Sequence, residues 1–261
     1  MLDKMIGFIG AGNMGSAMIG GILDASLVTT SQIIASAHSP ETLDKIRTKF
    51  SIETTQSNEV VAERSDILFL AVKPNKFAEV LPQIKDHLKP DCIVVSIAAG
   101  QPISNIEAIL GKIKLIRAMP NTPALVGAAM SALCPNDKVT AEEVKLIESL
   151  FNSFGRAEVV PESMMDAVVG VSGSSPAYVY MFIEAMADAA VADGMPRTQA
   201  YKFAAQSVFG KHPGELKDAV CSPGGTTIEA VAALEHGGFR DTVISAQRAC
   251  SKKSYDMSHN S

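Results

Sequence analysis

Asp66–Val72 (DILFLAV) and Cys92–Gly100 (CIVVSIAAG) are apolar on consecutive residues rather than on alternate ones. A strand hydrophobic on both faces needs a sheet covered on both sides, the condition of parallel sheets flanked by helices. Met5–Ile9 (MIGFI), QIIASA ending at Ala37, and Ile113–Pro120 (IKLIRAMP) repeat the texture in shorter form. Helix-like segments near 40–50, 57–64 and 74–88 lie between these runs. Alternating β and α elements imply an α/β fold, a Rossmann-type, doubly wound parallel sheet. AAMSAL and RAEVVP continue the strand-like pattern on either side of a helix expected over 140–153, whose Thr140 and Glu143 have the spacing of a capping box.

The first apolar run leads into Gly10-Ala11-Gly12-Asn13-Met14-Gly15, followed by a helical run. In a strand-turn-helix context, GxGxxG has a physical reading. Gly10 permits the tight turn, Gly12 lets a diphosphate approach the backbone, and Gly15 lets the helix pack on the strand. The free amides at the helix start then face the phosphates. At the end of the second strand an NAD-specific site expects an acid for the ribose 2′-hydroxyl. This chain has Ser36-Ala37-His38-Ser39 there. A carboxylate would repel a 2′-phosphate, and its absence favours NADPH, with NADH as the alternative. Ser39 also suits a plain helix cap before Pro40 and Glu41, and His38 is equally readable as a solvated loop residue. Ligands of such sheets bind beyond the carboxyl ends of the strands. That directs attention to Val72, Lys73 and Pro74 after one strand, and to Ile97, Ala98 and Ala99 after another, where small side chains admit a ring.

After Pro161 the strand-like runs stop. The expected boundary separates a nucleotide-binding domain, 1–162, from an all-α domain, 163–261. A helix, a small-residue break at Ser172–Ser175 and a long helix over about 176–193 are expected, then helices near 197–210, 226–236 and 239–257. The long helix carries only Glu184 and Asp188 before its last turn, both on one narrow face. A helix apolar on almost all sides must be buried, and a second copy of the chain is its natural cover.

The charge balance is −5, which offers no basic surface for nucleic acid or anionic membrane. No apolar run reaches the roughly 20 residues needed to span a bilayer. The N-terminus lacks the pattern of a signal peptide. The cysteines, Cys92, Cys134, Cys221 and Cys250, have neither disulfide-framework nor zinc-site spacing. A cytoplasmic protein with a small-molecule substrate and no metal is expected.

The histidines sit beside no carboxylate motif, and neither HExxH nor GxSxG occurs. The remaining feature with chemical promise is Ser222-Pro223-Gly224-Gly225-Thr226-Thr227-Ile228-Glu229. Glycine amides and hydroxyls at a helix start make a carboxylate site. Thr226 and Glu229 equally have capping-box spacing, so spacing alone leaves both readings open.

GFIGAGNMGSAM, LFLAVKP, SIAAG, RAMPNTPALVG, DAVVGVSGSSPAYVYMFIEAMADAAV and HPGELKDAVCSPGGTTIEAVAALEHGGFR together resemble the 1-pyrroline-5-carboxylate reductase family, from about Met5 to about Met257. The resemblance implies NADPH-dependent reduction of a cyclic imine to proline, and a helical domain that builds a dimer, with dimers often assembled into rings. It implies cofactor contacts at Ile9, Gly10, Ala11, Gly12, Asn13 and Met14, at Ala37, His38 and Asn58, at Ala71, Val72, Lys73 and Pro74, and at Ile97, Ala98 and Ala99. It places the substrate carboxylate at Ser222 and the loop through Gly224, Gly225, Thr226 and Thr227, with Thr227 assisting protonation of the ring nitrogen. One departure stands out: Gly210-Lys211 joins directly segments between which the family carries a longer helical stretch. Two other readings remain. Hydroxyisobutyrate-type β-hydroxyacid dehydrogenases share the GFIGxGxMGxxM opening but use a lysine on the helix after a glycine-rich stretch, and SPAYVYMFIEAMADAA has none. A non-catalytic NADP-binding sensor would not need the SPGGTT loop.

Overall fold

A computed structural model of the chain describes residues 2–205 and 226–259. Two compact units are present, one of Met1–Gly173 with Ser251–Ser261 and one of Ser174–Cys250.

The first unit is built on β1 (Ile6–Ile9), β2 (Ile33–Ser36), β3 (Glu53–Thr55), β4 (Ile67–Leu70), β5 (Ile93–Ser96), β6 (Lys114–Met119), β7 (Ala129–Pro135) and β8 (Gly155–Val159). They form one 8-stranded sheet in the order β3-β2-β1-β4-β5-β6-β7-β8. Every pairing is parallel except β6 with β7, which is antiparallel. The first six positions have the order of a dinucleotide-binding sheet, with the switch point between β1 and β4. Every residue of β1, β2, β4 and β5 is buried. The continuous apolar runs are therefore strands covered on both faces.

The helices flanking the sheet are α1 (Asn13–Asp24), α2 (Pro40–Phe50), α3 (Asn58–Arg64), α4 (Phe77–Ile84), α5 (Ile103–Leu110) and α6 (Ala141–Asn152). On one face Phe8 and Phe69 pack with Met18, Ile22, Phe151 and Phe154. On the other, Leu68 and Leu70 pack with Val61, Phe77, Ile84 and Ile106. The ring centroids of Phe8 and Phe69 stack at 4.8 Å, tying β1 to β4 at the switch point. Gly7 is required inside β1, because a Cβ there would lie 1.9 Å from Ser65 Oγ at the end of α3. Local signals fix several helix starts. Ser39 accepts from the Thr42 amide and Ser57 from the Val60 amide, at 3.1 Å each. Thr140 and Glu143 close a reciprocal capping box.

Helix α7 (Met165–Val168) passes directly into a π-helical turn, Val169–Gly173. The change in helical form precedes the expected break at Ser172–Ser175. The second unit holds α8 (Ser175–Ala192), α9 (Arg197–Ala205), α10 (Thr226–His236) and the first half of α11 (Phe239–His259). Ala187, Ala200 and Ala204 are its buried contacts, and Asp188 on α8 pairs with Arg197 on α9. The α8 helix is not covered on all sides within the chain: Tyr180 is 63% and Met181 68% exposed. Residues 251–259 of α11 lie in the first unit, where Ser254 Oγ donates to Asp166 at 2.7 Å.

Candidate active site

The loop between β1 and α1 has the backbone that its glycines predict. Gly10 has φ +97°, and a Cβ there would sit 2.7 Å from the Ala71 carbonyl oxygen. Its amide donates to the Ser36 carbonyl at 3.0 Å, joining the ends of β1 and β2. At Gly15 a Cβ would come 2.5 Å from the Gly10 carbonyl oxygen, so the first turn of α1 rests on the loop. Gly12 differs, since a Cβ there would meet no atom within 4 Å. Gly12 is also the N-cap of α1, with no side-chain cap and no acid in the first turn. The amides at this helix start therefore point at open space with a positive dipole end behind them, which suits a diphosphate.

That space belongs to a cleft of about 750 Å³ beyond the carboxyl ends of β1, β4 and β5. Gly12, Asn13 and Met14 line one side; Ala71, Val72, Lys73 and Pro74 line another; Ile97, Ala98 and Ala99 form a third. The structure thus gathers ten of the sixteen residues expected to contact the cofactor. Ile9 and Ala11 are buried in the cores beneath it. Ala37 and His38 stand at the end of β2, His38 exposed, and neither lines the cleft. Asn58 holds these parts in place instead. Its Oδ1 accepts from buried Ser36 Oγ at 2.7 Å, and its Nδ2 donates to Gln83 at 2.8 Å, connecting β2, α3 and α4.

Sequence reasoning did not single out the rest of the wall. Met119 ends β6, Pro120, Asn121, Thr122 and Leu125 follow it, and Gly173 ends the π-helical turn. Residues 119–125 reach the cleft because β6 turns back into β7, a reversal that Gly127 closes with φ +70°. Asn121 has no spare polar atom for a ligand: its Nδ2 donates to the Ser172 carbonyl and hydroxyl at 3.2 and 3.1 Å, and its Oδ1 accepts from the Met130 amide at 2.9 Å. Lys76 also lines the cleft and pairs with Glu79 at 2.8 Å. The Lys76 ammonium, and secondarily the field of His38, hold the Glu79 carboxyl below its ordinary range.

The cleft wall contains lysines but neither a carboxylate nor an imidazole. Among the described residues, no group of His, Cys, Asp and Glu could hold a metal ion. The Cys92 thiol is inert, pushed up to about 12 chiefly by burial. Such a cleft binds and orients, and it suits a reaction whose electrophile is already activated. Of the second glycine loop, Ser222, Gly224 and Gly225 lie outside the described residues, as does the Gly210-Lys211 connection. Thr226 and Thr227 open α10.

Sheet order, glycine loop and cleft define the class: a Rossmann-type dinucleotide-binding oxidoreductase with a helical unit attached. Residues 5–100 match the family described as NADP oxidoreductase coenzyme F420-dependent, and residues 162–257 match Pyrroline-5-carboxylate reductase dimerisation. The chain is 52% identical to the pyrroline-5-carboxylate reductase of Escherichia coli over 98% of its own length and 99% of the relative's. It is similar to the crystal structure of the Plasmodium falciparum pyrroline carboxylate reductase with NADP bound, at 33% identity, TM-score 0.89 and 99% coverage of both chains. It is also similar to the Coxiella burnetii pyrroline-5-carboxylate reductase, at 32% identity and TM-score 0.91, covering 98% of this chain and 99% of that one. The chain belongs to the pyrroline-5-carboxylate reductase family.

Proposed function

We propose that the chain reduces 1-pyrroline-5-carboxylate to L-proline with NADPH, the last step of proline biosynthesis. The observation that carries this reading is the opening beside Gly12 at the switch point, continued by Ile97–Ala99 and walled, among the described residues, without carboxylate or imidazole. The residues present fit a dinucleotide: the amides at the start of α1 take the diphosphate, and Val72–Pro74 and Ile97–Ala99 flank the reduced ring. When bound, that ring supplies a hydride. The protein's own task is to hold the imine carbon against it and keep the substrate's carboxylate fixed. Family membership supports assigning the carboxylate to Ser222 and the amides of Gly225–Thr227. The Thr227 hydroxyl hydrogen-bonds to the ring nitrogen and relays from solvent the proton that this nitrogen takes up as the hydride reaches the imine carbon.

NADPH is preferred because no acid follows β2 in Ser36-Ala37-His38-Ser39, and Lys73 or Lys76 provides positive charge near the 2′-phosphate. The division into a nucleotide-binding domain, 1–162, and a helical domain, 163–261, fits the match of residues 162–257 to a dimerisation family. A homodimer through the helical domain covers the exposed face of α8, and dimers assemble further into a ring. No described helix is long and apolar enough to cross a membrane, and we assign the enzyme to the cytoplasm.

Loss of NADPH absorbance on adding pyrroline-5-carboxylate tests the reading, with NADH and hydroxyisobutyrate semialdehyde in parallel. Consumption with the imine alone, faster with NADPH, is expected. Consumption with the semialdehyde alone would favour the hydroxyacid dehydrogenase, although α8 carries no lysine. Consumption with neither substrate would leave a sensor.

A further inference from the structure

The segment Glu162–Gly173 follows β8 and brings Gly173 to the cleft wall, and among the described residues it is tied down at both of its own ends. At its start, one carboxylate oxygen, Glu162 Oε1, accepts from two donors: the Ile103 amide at 2.8 Å and Arg117 Nη1 at 3.0 Å. Ile103 opens α5, just after the cleft residues Ile97–Ala99. Arg117 lies on β6 two residues before Met119, and its side chain is only 6% exposed. Among the described residues the buried hydroxyl of Ser96, its register partner on β5, makes no hydrogen bond, and it is Glu162 that accepts from the guanidinium. At the far end, Asn121 grips the Ser172 carbonyl and hydroxyl, and Ser172 Oγ also reaches the Met130 carbonyl at 3.3 Å. Between the ties runs the π-helical turn, a form often found where a helix meets function. Gly173 leaves it packed so closely that a Cβ there would lie 2.7 Å from Met119 Cε.

We infer that Glu162 is a positioning residue for the reduction, setting through Arg117, Ile103 and the 162–173 segment the separation of the Ile97–Ala99 and Met119–Asn121 walls at the ring end of the cleft. The inference rests on the proposed reaction. Glu162 does not line the cleft. The charge pair, buried at Arg117 and half-buried at Glu162, supplies register rather than net stability, because such pairs are replaceable by apolar groups at little cost in stability. The Gly12 end of the cleft, which takes the diphosphate, has no contact with this clamp.

The test is the double variant Arg117→Met with Glu162→Leu, which removes both charges without stranding either. Wild-type turnover of pyrroline-5-carboxylate comes first: its absence defeats the proposed function and not the clamp. Where wild type turns over, the double variant is expected to keep its melting temperature and its NADPH dissociation constant, the latter from fluorescence titration. Its kcat/KM for the imine is expected to fall about tenfold to a hundredfold, the scale of a displacement near 1 Å at a reacting centre. Unchanged kcat/KM in a folded variant overturns the inference, as does a loss matched by equal weakening of NADPH. Should the double variant not fold, Glu162→Gln decides, since it keeps an oxygen for the Ile103 amide and removes the charge that holds Arg117. A selective fall in kcat/KM supports the clamp, and wild-type kinetics refute it.

Discussion

Gly12 and Gly15 stand three residues apart in one motif, yet the geometry assigns them opposite sensitivities. At Gly12 an added methyl meets nothing within 4 Å, and the N-cap φ of −71° suits alanine. Losing glycine as the capping residue costs a few tenths to ~1 kcal/mol, and stiffening the unfolded chain returns ~0.4–1 kcal/mol, so the net change stays within about 0.5 kcal/mol. At Gly15 the methyl would sit 2.5 Å from the Gly10 carbonyl oxygen, a backbone atom that cannot swing aside. Overpacking of this kind costs ~1–3 kcal/mol, against ~1 kcal/mol of improved helix propensity. Gly15→Ala should therefore lower the melting temperature by roughly 2–8 °C, whereas Gly12→Ala should leave it nearly unchanged. For NADPH the order reverses. The Gly12 methyl fills the space a diphosphate needs, and at least about a tenfold weakening is expected, equivalent to ~1.4 kcal/mol. Circular dichroism melts give the first comparison. Fluorescence enhancement of bound NADPH gives the second, free of indole background because the chain has no tryptophan. A Gly12→Ala protein that binds NADPH as wild type does would refute the assignment of this opening to the diphosphate. One that melts as early as Gly15→Ala would refute the packing argument.

Thr227→Ala should lose most turnover at saturating NADPH, with Thr227→Ser retaining more; wild-type turnover in the alanine variant would remove the hydroxyl from the mechanism. Asp66 accepts from the Met5 amide at 2.8 Å and from Lys89 at 2.9 Å. Burial pushes its carboxyl up, but the Lys89 and Met5 hydrogen bonds and the nearby cations outweigh this and hold it below its ordinary range. A lowered folded-state value stabilises the fold above the unfolded value of about 4 and is lost as pH falls through the folded one. Asp66→Asn should thus cost less than ~1 kcal/mol at pH 7, the group being partly solvated, and the gap from wild type should close below about pH 4 in denaturant titrations. Tyr180→Glu with Met181→Glu should shift the chain from dimer to monomer in analytical ultracentrifugation; an unchanged dimer would move the interface elsewhere.

The parts legible in the sequence were those whose burial is complete and local. Continuous apolar residues gave β4 and β5, and the glycine spacing gave the α1 loop. Capping residues at Ser39 and Thr140 marked helix starts that the structure reproduces. β3 escaped because Glu53–Thr55 is a three-residue edge strand with no fully buried side chain. α5 escaped because it is short, 8 residues, and follows closely on the loop after β5. The cleft wall after β6 and the carboxylate of Glu162 depend on partners 45 and 59 residues away, a separation at which periodicity carries no information. The exposed side of α8 was readable as an apolar excess, and among the described residues Tyr180 and Met181 remain uncovered.

The reversal between β6 and β7 has a consequence for how this architecture can be varied. Parallel neighbours need a crossover of a dozen residues or more, whereas here residues 120–128 make the return directly and carry Leu125 and Val126 to the surface, 62% and 80% exposed. One flank of the cleft is therefore a short segment whose Ala124 is anchored in the core against α1 while Leu125 and Val126 face outward. Resequencing the two outward positions, with Ala124 kept, is a way to vary the cleft's rim without unseating α1.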